Sequence, residues 1–381
     1  MNSEELQSQT IRWLRFPLAV AVVFTHTVSH EGLEVYMSQV DYLNLSGTDV
    51  FNIIRTLIST VIARCARPCF FIFSGFLFFY KMNDWNWQVY FEKLKRRIKT
   101  LMVPYILWNL IPVVIMAFLL FRHFDGSLMI WMHDLWENGI LKVFWNYHFD
   151  SLNNILGHTY HFYYPYNNPL WFIRDLIILV FLSPVIYYFL KKTKLFGVII
   201  LGICYYTQLW VYTPGFSINA FFFFSLGAFF SIHGKNMILE LRKGWWAWLF
   251  VAIISMILAV YSKGSNTQMY YLYPVDIFII AGSITTINTI SWLLERDCFT
   301  ATGIFVPFLS KASFFIFAAH AVFLLKWSKQ LVEYIIKPDS VFFLTIKYFM
   351  APAVCVSVCV CVYYIASKIS PRLLKILTGS R

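Results

Sequence analysis

The sequence predicts an all-α, polytopic integral membrane protein with about ten transmembrane helices and both termini in the cytoplasm. Three observations predict it. The 381 residues are 59% hydrophobic and only 13% charged, roughly half the charge an ordinary soluble domain carries on its surface. The apolar residues fall into runs long enough to span a bilayer, which needs about 20 residues each. Most of the 31 lysines and arginines lie in the connections that a cytoplasmic N-terminus would place inside, as the positive-inside rule expects. A soluble enzyme, a disordered chain and a nucleic-acid-binding module are excluded, despite a net charge of +12.

Taken in order, the first ten residues are polar and include Glu4 and Glu5. They lack the basic start of a signal peptide, so the first apolar run, 13–30, reads as a retained helix. The second run, 50–80, is too long. Thirty-one residues would cover about 46 Å against about 30 Å of hydrocarbon. Pro68 is the expected kink, because proline removes a backbone donor. Further runs follow at 101–121, 170–190, 195–212, 217–232, 245–262, 273–293, 303–325 and 341–366. The run at 217–232 is short and gives the weakest span. No internal repeat divides residues 1–381, which read as one transmembrane domain. The seven cysteines show no zinc or disulfide spacing and read as small packing residues. No metal site is expected.

One connection stands apart. Residues 122–168 are long for a loop, and long loops are usually functional. It carries His123, His133, His148, His158 and His161 with Trp131, Trp136 and Trp145. On the cytoplasmic-N-terminus topology it lies outside the cell. Its aromatics are either an interfacial belt or a surface whose flat faces hold sugar rings. The three tryptophans are the candidate acceptor-binding residues.

Ionisable groups inside hydrocarbon are costly to place and are functional candidates for that reason. The first run holds Arg15 near its cytoplasmic start and His26 eleven residues on, about 16 Å along a helix. His30 follows one turn later, on the same face. The second run carries Arg64 and Arg67, three residues apart and so on one face. Guanidinium binds phosphate or carboxylate bidentately. The pair therefore reads as a site for an anionic ligand, with an ion pair to a buried acid such as Asp175 as the alternative. Just beyond, Ser74 and Gly75 interrupt the apolar run, either for close helix packing or to make room for a ligand. Arg174 and Asp175 open the run at 170–190, at a depth comparable to His26. A carboxylate on one imidazole nitrogen would make the other a better base, so His26 and Asp175 are the candidate catalytic residues. His320 sits at similar depth in the ninth run, and Asp276 opens the eighth from the same side.

These residues resemble the acyltransferase-3 family of polytopic membrane acyltransferases. The likeness rests on an ordered set that covers most of the chain. It runs from Arg15 and His26 through Arg64 and Arg67, the SGF turn at Ser74 to Phe76, TLMVPYILWN, LWFIRDL from Leu170 and FSLGAFF from Phe224, to SFFIFAAHAV around His320. The resemblance implies about ten helices and transfer of an acyl group, usually acetyl from acetyl-CoA, to a hydroxyl of a carbohydrate such as a bacterial surface polysaccharide or its lipid-linked precursor. It implies a multi-pass protein of the bacterial inner membrane, with acetyl-CoA as co-substrate and no permanently bound cofactor. It makes His26 the catalytic histidine, Arg15 its motif partner, and Arg64 with Arg67 the pair that handles the donor; Arg15 is a donor-binding candidate as well, since with the basic 93–99 segment it would give the donor's phosphates a cationic entrance. Ser74, Arg174 and His320 are supporting candidates. The hydrolase-like domain that some members carry after the last helix is not expected here.

Two other classes bury similar charges. A transporter or flippase of lipid-linked sugars would line a path with arginines and a histidine, yet such folds often show inverted repeats. A sensor or scaffold would use the charges structurally. Thioester consumption separates the acyltransferase from both.

Overall fold

The computed structural model describes residues 2–379 except 83, 123–126, 138, 154–158, 265–267, 299–302 and 304. His123 and His158 of the long loop lie outside the described residues. Among the described residues, five helical stretches are long and apolar enough to cross a membrane: Gly47–Phe79, Trp87–Phe121, Tyr273–Glu295, Val306–Ile335 and Val341–Ile369. Asn168–Phe181 and Ser183–Thr193 make a sixth if counted as one span bent by 68°. The bend falls where Pro184 removes a donor at the start of the second piece. Leu195–Thr207, Ile218–Ile232 and Trp245–Tyr261 are shorter apolar helices of 13, 15 and 17 residues. Length and hydropathy thus qualify five or six spans against about ten expected. The difference arises because several apolar runs fold into helices shorter than a full crossing.

The first helix, Ser3–Thr25, starts well before the expected run and stops at His26. Its end is written in the sequence THTVS. Thr25 and Thr27 turn their hydroxyls back onto the carbonyls of Ala21 and Val23, at 3.2 and 3.0 Å, which competes with helix continuation. Ser29 then caps a new helix, His30–Met37. His26 and His30 therefore belong to different elements rather than to one helical face.

The long second run is one continuous but irregular helical stretch. The α-helix Gly47–Arg55 passes into a π segment, Thr56–Val61, then a 3₁₀ turn, Ile62–Cys65, then the α-helix Ala66–Phe79. The irregularity precedes Pro68 instead of centring on it. Pro68 cannot donate to the carbonyl of Arg64 and its ring crowds that carbonyl, so the turn before it tightens. Arg64 lies in the 3₁₀ turn and Arg67 in the following helix.

Core packing joins Ala66–Phe79 to Ile218–Ile232, Trp245–Tyr261 to Gln268–Glu295, and Ser3–Thr25 to Val306–Ala319. At the first crossing the backbones touch. A Cβ on Gly75 would strike the carbonyl of Phe224, and one on Gly227 the carbonyl of Ile72. Small residues at a helix crossing permit this approach, which gives the SGF and FSLGAFF motifs a packing role. Asn167, buried, stitches the start of the bent span to two other helices. Its side chain donates to Trp108 O and Ala318 O at 3.0 and 3.1 Å, and its backbone N–H donates to Asn109 Oδ1 at 3.0 Å.

The 122–168 connection is not a simple aromatic cap. It folds into the helices Ser127–Glu137 and Lys142–Trp145 and an antiparallel hairpin of two strands, β1 (His148–Asn153) and β2 (Thr159–Tyr164), in which Asp150 faces Phe162. The run TYHFYY is mostly strand formers, so among the described residues a small sheet accompanies the helices.

Candidate active site

Two helix discontinuities bring two histidines together. His26 caps the end of the first helix. His320 opens a π segment, His320–Leu324, in which Phe323 has φ 61°. The imidazole rings lie with centroids 5.3 Å apart. His320 is fully buried, with Nδ1 3.1 Å from the carbonyl of Ile316. That contact makes Nδ1 the donor and leaves the lone pair on Nε2. Nε2 is buried and has no hydrogen-bond partner among the described residues. His26, by contrast, is exposed to a cavity.

That cavity, of about 410 Å³, is lined by His26, Arg64, Arg67, Arg174, Asp175 and Asp276. Around these charged groups stand Tyr164, Trp171, Tyr205, Trp210 and Tyr212. Arg67 packs its guanidinium over the Trp171 ring at 5.1 Å, a cation–π contact that suits a desolvated arginine. Tyr205 donates to Asp276 Oδ1 at 3.1 Å. Burial pushes the phenol of Tyr164, in β2, up to about 12, so it remains a neutral donor.

Asp175 lines the cavity while bound to its sequence neighbour. Arg174 donates to its Oδ1 through Nε at 3.0 Å and Nη2 at 2.9 Å. Through Nη1, Arg174 also holds the carbonyls of Trp145 and Tyr163 at 2.6 and 2.9 Å. The ion pair therefore anchors the extended connection to the Trp171–Phe181 helix. The acid of the alternative Arg64/Arg67 ion pair is thus engaged by Arg174. Asp175 Oδ2 is buried without a partner among the described residues.

Arg15 and Ser74 are not in this cavity. They line a second one, of about 300 Å³, with Arg97, Lys311, Ser310 and Ser313. Consecutive residues form the partition: Trp171 faces the first cavity and Phe172 the second. Phe172 is wedged among Phe70, Phe71 and Phe317, with ring centroids at 6.0, 4.3 and 5.7 Å.

Trp131, Trp136 and Trp145 line neither cavity. Trp136 is 78% exposed, and Trp145 packs against the Arg174 guanidinium at 5.6 Å. The extended connection reaches the cavity through its hairpin, with Asp150, His161, Phe162, Tyr163 and Tyr164. His161 is one of the loop histidines singled out in the sequence; Asp150, Phe162, Tyr163 and Tyr164 were missed, along with Tyr205, Trp210 and Tyr212. The alternation of aromatic and polar residues in TYHFYY was the available signal for the hairpin.

Apolar helices around a chamber of histidine, arginine and aromatic side chains define an integral membrane protein with an internal polar site. The family model described as an acyltransferase domain matches residues 9–366, nearly the whole chain. The chain belongs to this acyltransferase-3 family, and its class is that of a membrane acyltransferase. It is similar to the succinoglycan biosynthesis protein ExoH of Rhizobium meliloti (strain 1021), with 24% identity over 387 residues, covering 98% of this chain and 92% of that protein. No solved structure matches it.

Proposed function

We propose that the protein is a multi-pass inner-membrane O-acetyltransferase that moves an acetyl group from acetyl-CoA to a hydroxyl of a surface polysaccharide or its lipid-linked precursor. The observation that carries the reading is the convergence of His26, Arg64 and Arg67 on one cavity. The likeness to a succinoglycan biosynthesis protein supports a carbohydrate acceptor.

The chemistry divides between the two cavities. The cavity of Arg15, Arg97 and Lys311 takes the phosphates of the donor, since guanidinium and ammonium groups bind phosphate through charge-assisted hydrogen bonds. The cavity of His26 takes the acceptor and the thioester carbonyl. His26 removes the proton of the acceptor hydroxyl, whose oxygen attacks the thioester carbon. The carbonyl electrons move onto oxygen, where Arg64 and Arg67 stabilise the charge. The carbon–sulfur bond then breaks, and the imidazolium returns its proton to the leaving thiolate. His320 supports the back of the His26 ring. Trp171 and Phe172 mark where the acyl-bearing arm passes from one cavity to the other.

The test is release of CoA thiol from acetyl-CoA by purified protein in detergent, with and without an oligosaccharide acceptor. Acceptor-dependent thiol release supports the reading. Unchanged acetyl-CoA with a folded protein and a range of hydroxyl acceptors removes it.

A further inference from the structure

A third cavity, of about 380 Å³, lies beside the site and has no part in the scheme above. Its walls come from the His30–Met37 helix, the start of the Gly47–Phe79 stretch, the Leu325–Ile335 helix and the start of the Val341–Ile369 helix. The His30–Met37 helix separates it from the His26 cavity. Glu34 faces one side, and Leu33 with Tyr36 the other. Among its described lining residues, Arg55, Lys329 and Lys347 face a single carboxylate, Glu333. Tyr36, Thr48 and Tyr348 complete the wall.

The cations are held in place. Arg55 donates to Asn52 Oδ1 at 3.0 Å and lies over the Phe51 ring at 5.0 Å. Lys347 Nζ is 2.5 Å from Oδ1 of the largely exposed Asp339. Lys329 Nζ donates to the backbone carbonyl of His26 at 3.3 Å. An ammonium has three donors, so Lys329 spans the distance between this cavity and the histidine.

The place of the cavity selects its ligand. The Val341–Ile369 helix is one of those long enough to cross a membrane, and only 33% of its apolar window is buried, so most of it meets lipid. Lys347 is six residues from the start of that helix, about 9 Å along its axis, so the cavity lies towards one end of the span. Three cations against Glu333 and the Asp339 that pairs with Lys347 leave one net positive charge, beside a largely lipid-facing helix and one residue away from His26, a place that suits a phosphate ester with an apolar tail. We propose that this cavity binds the diphosphate of a lipid-linked acceptor and so presents the attached sugar to His26. The proposal rests on the acyltransferase reading and names the form in which the acceptor arrives.

The experiment uses the full chain in nanodiscs of phosphatidylcholine, with farnesyl diphosphate as probe and farnesol, inorganic diphosphate and phosphatidylglycerol as competitors. Farnesyl diphosphate is expected to bind at least tenfold tighter than farnesol or inorganic diphosphate, and phosphatidylglycerol not to displace it at equal concentration. Arg55→Gln and Lys347→Gln should each weaken it about tenfold, the loss of one charge-assisted contact. Lys347→Gln keeps the test valid if Arg55→Gln lowers the thermal midpoint, because the exposed Asp339 is the partner it loses. Equal binding of farnesol, of inorganic diphosphate or of phosphatidylglycerol would overturn the proposal, leaving an apolar groove, a soluble-anion site or a boundary-lipid site. Unchanged affinity in both variants would overturn it as well. Acetyl-CoA affinity is read on the same samples. Its absence in the wild-type protein would count against the acyltransfer reading alone, and its retention with no lipid selectivity against the lipid site alone.

Discussion

His26 and His320 lie ring to ring, 5.3 Å between centroids, each at a place where its helix is interrupted. The first is open to the cavity and the second is sealed behind it. A regular helix would have pointed both side chains along fixed rows. The interruptions release them from that periodicity and let them meet.

The sealed position makes His320 a positioning residue. His320→Ala should lower kcat by about 10- to 100-fold, less than a lost general base removes at the upper end, and leave the donor KM within about twofold. Steady-state kinetics with both substrates varied gives the split. A variant that alters the donor KM while kcat stays normal would move His320 into donor binding.

Donor binding should belong to the other cavity. Arg15→Gln, Arg97→Gln and Lys311→Gln should each raise the acetyl-CoA KM about tenfold, as expected for loss of a charge-assisted contact. Arg64→Gln and Arg67→Gln should act mainly on kcat, because their guanidiniums share the His26 cavity. If all five variants gave the same pattern, the division between two cavities would be wrong.

Much of this site was legible in the sequence, because charges in hydrocarbon are few and each needs a reason. His26, Arg64, Arg67, Arg174 and Asp175 were singled out, and all line one cavity. Arg15 was grouped with Arg64 and Arg67 as donor-binding. Its pairing with the basic 93–99 segment was legible, and Arg97 of that segment does share its cavity; the wall that separates this cavity from Arg64 and Arg67 was not, since depth along a helix says nothing about which neighbours surround it. The Arg174–Asp175 pair was hidden for a different reason. Adjacent helical residues usually point apart, but both of these side chains sit in the first turns of their helix, where the extended connection folds over them. The tryptophans of that connection drew attention by size, whereas the hairpin that enters the cavity is built from tyrosines and a phenylalanine. The cavity floor contributed by Tyr205, Trp210 and Tyr212 carried no motif at all.

Acceptor recognition should follow the hairpin. Tyr164→Phe removes one neutral hydrogen-bond donor from the cavity and should raise the acceptor KM about 2- to 10-fold. Trp136→Ala should leave both KM values unchanged, because that ring is largely exposed and lines neither substrate cavity. Acceptor titrations of these two variants at saturating acetyl-CoA decide the matter, and a reversed outcome would restore the tryptophans as the sugar-binding surface.

Packing at the Gly75–Gly227 crossing makes a stability prediction independent of function. Gly75→Ala places a methyl against the backbone carbonyl of Phe224, which no rotamer change relieves. It should destabilise by at least about 1–3 kcal/mol, the usual range for overpacking. Gly202→Ala meets only the ring edge of Phe222 at 3.2 Å and gains helix propensity worth about 1 kcal/mol. Thermal unfolding in detergent should therefore separate the two, with Gly202→Ala close to wild type. Equal losses would mean that the crossing is looser than the backbone contact indicates.

The central claim is that His26 is the base in acetyl transfer from acetyl-CoA to a saccharide hydroxyl, and one measurement meets it directly. Purified wild-type protein and His26→Ala are incubated with acetyl-CoA labelled in the acetyl group and a lipid-linked or free oligosaccharide, and label in the saccharide is counted. Because His26 is exposed to the cavity and packs little into the core, the variant should keep its thermal midpoint and lose at least about 100-fold in labelled product, the range for removal of a general base. Labelled saccharide formed by His26→Ala at near wild-type rate would contradict the account.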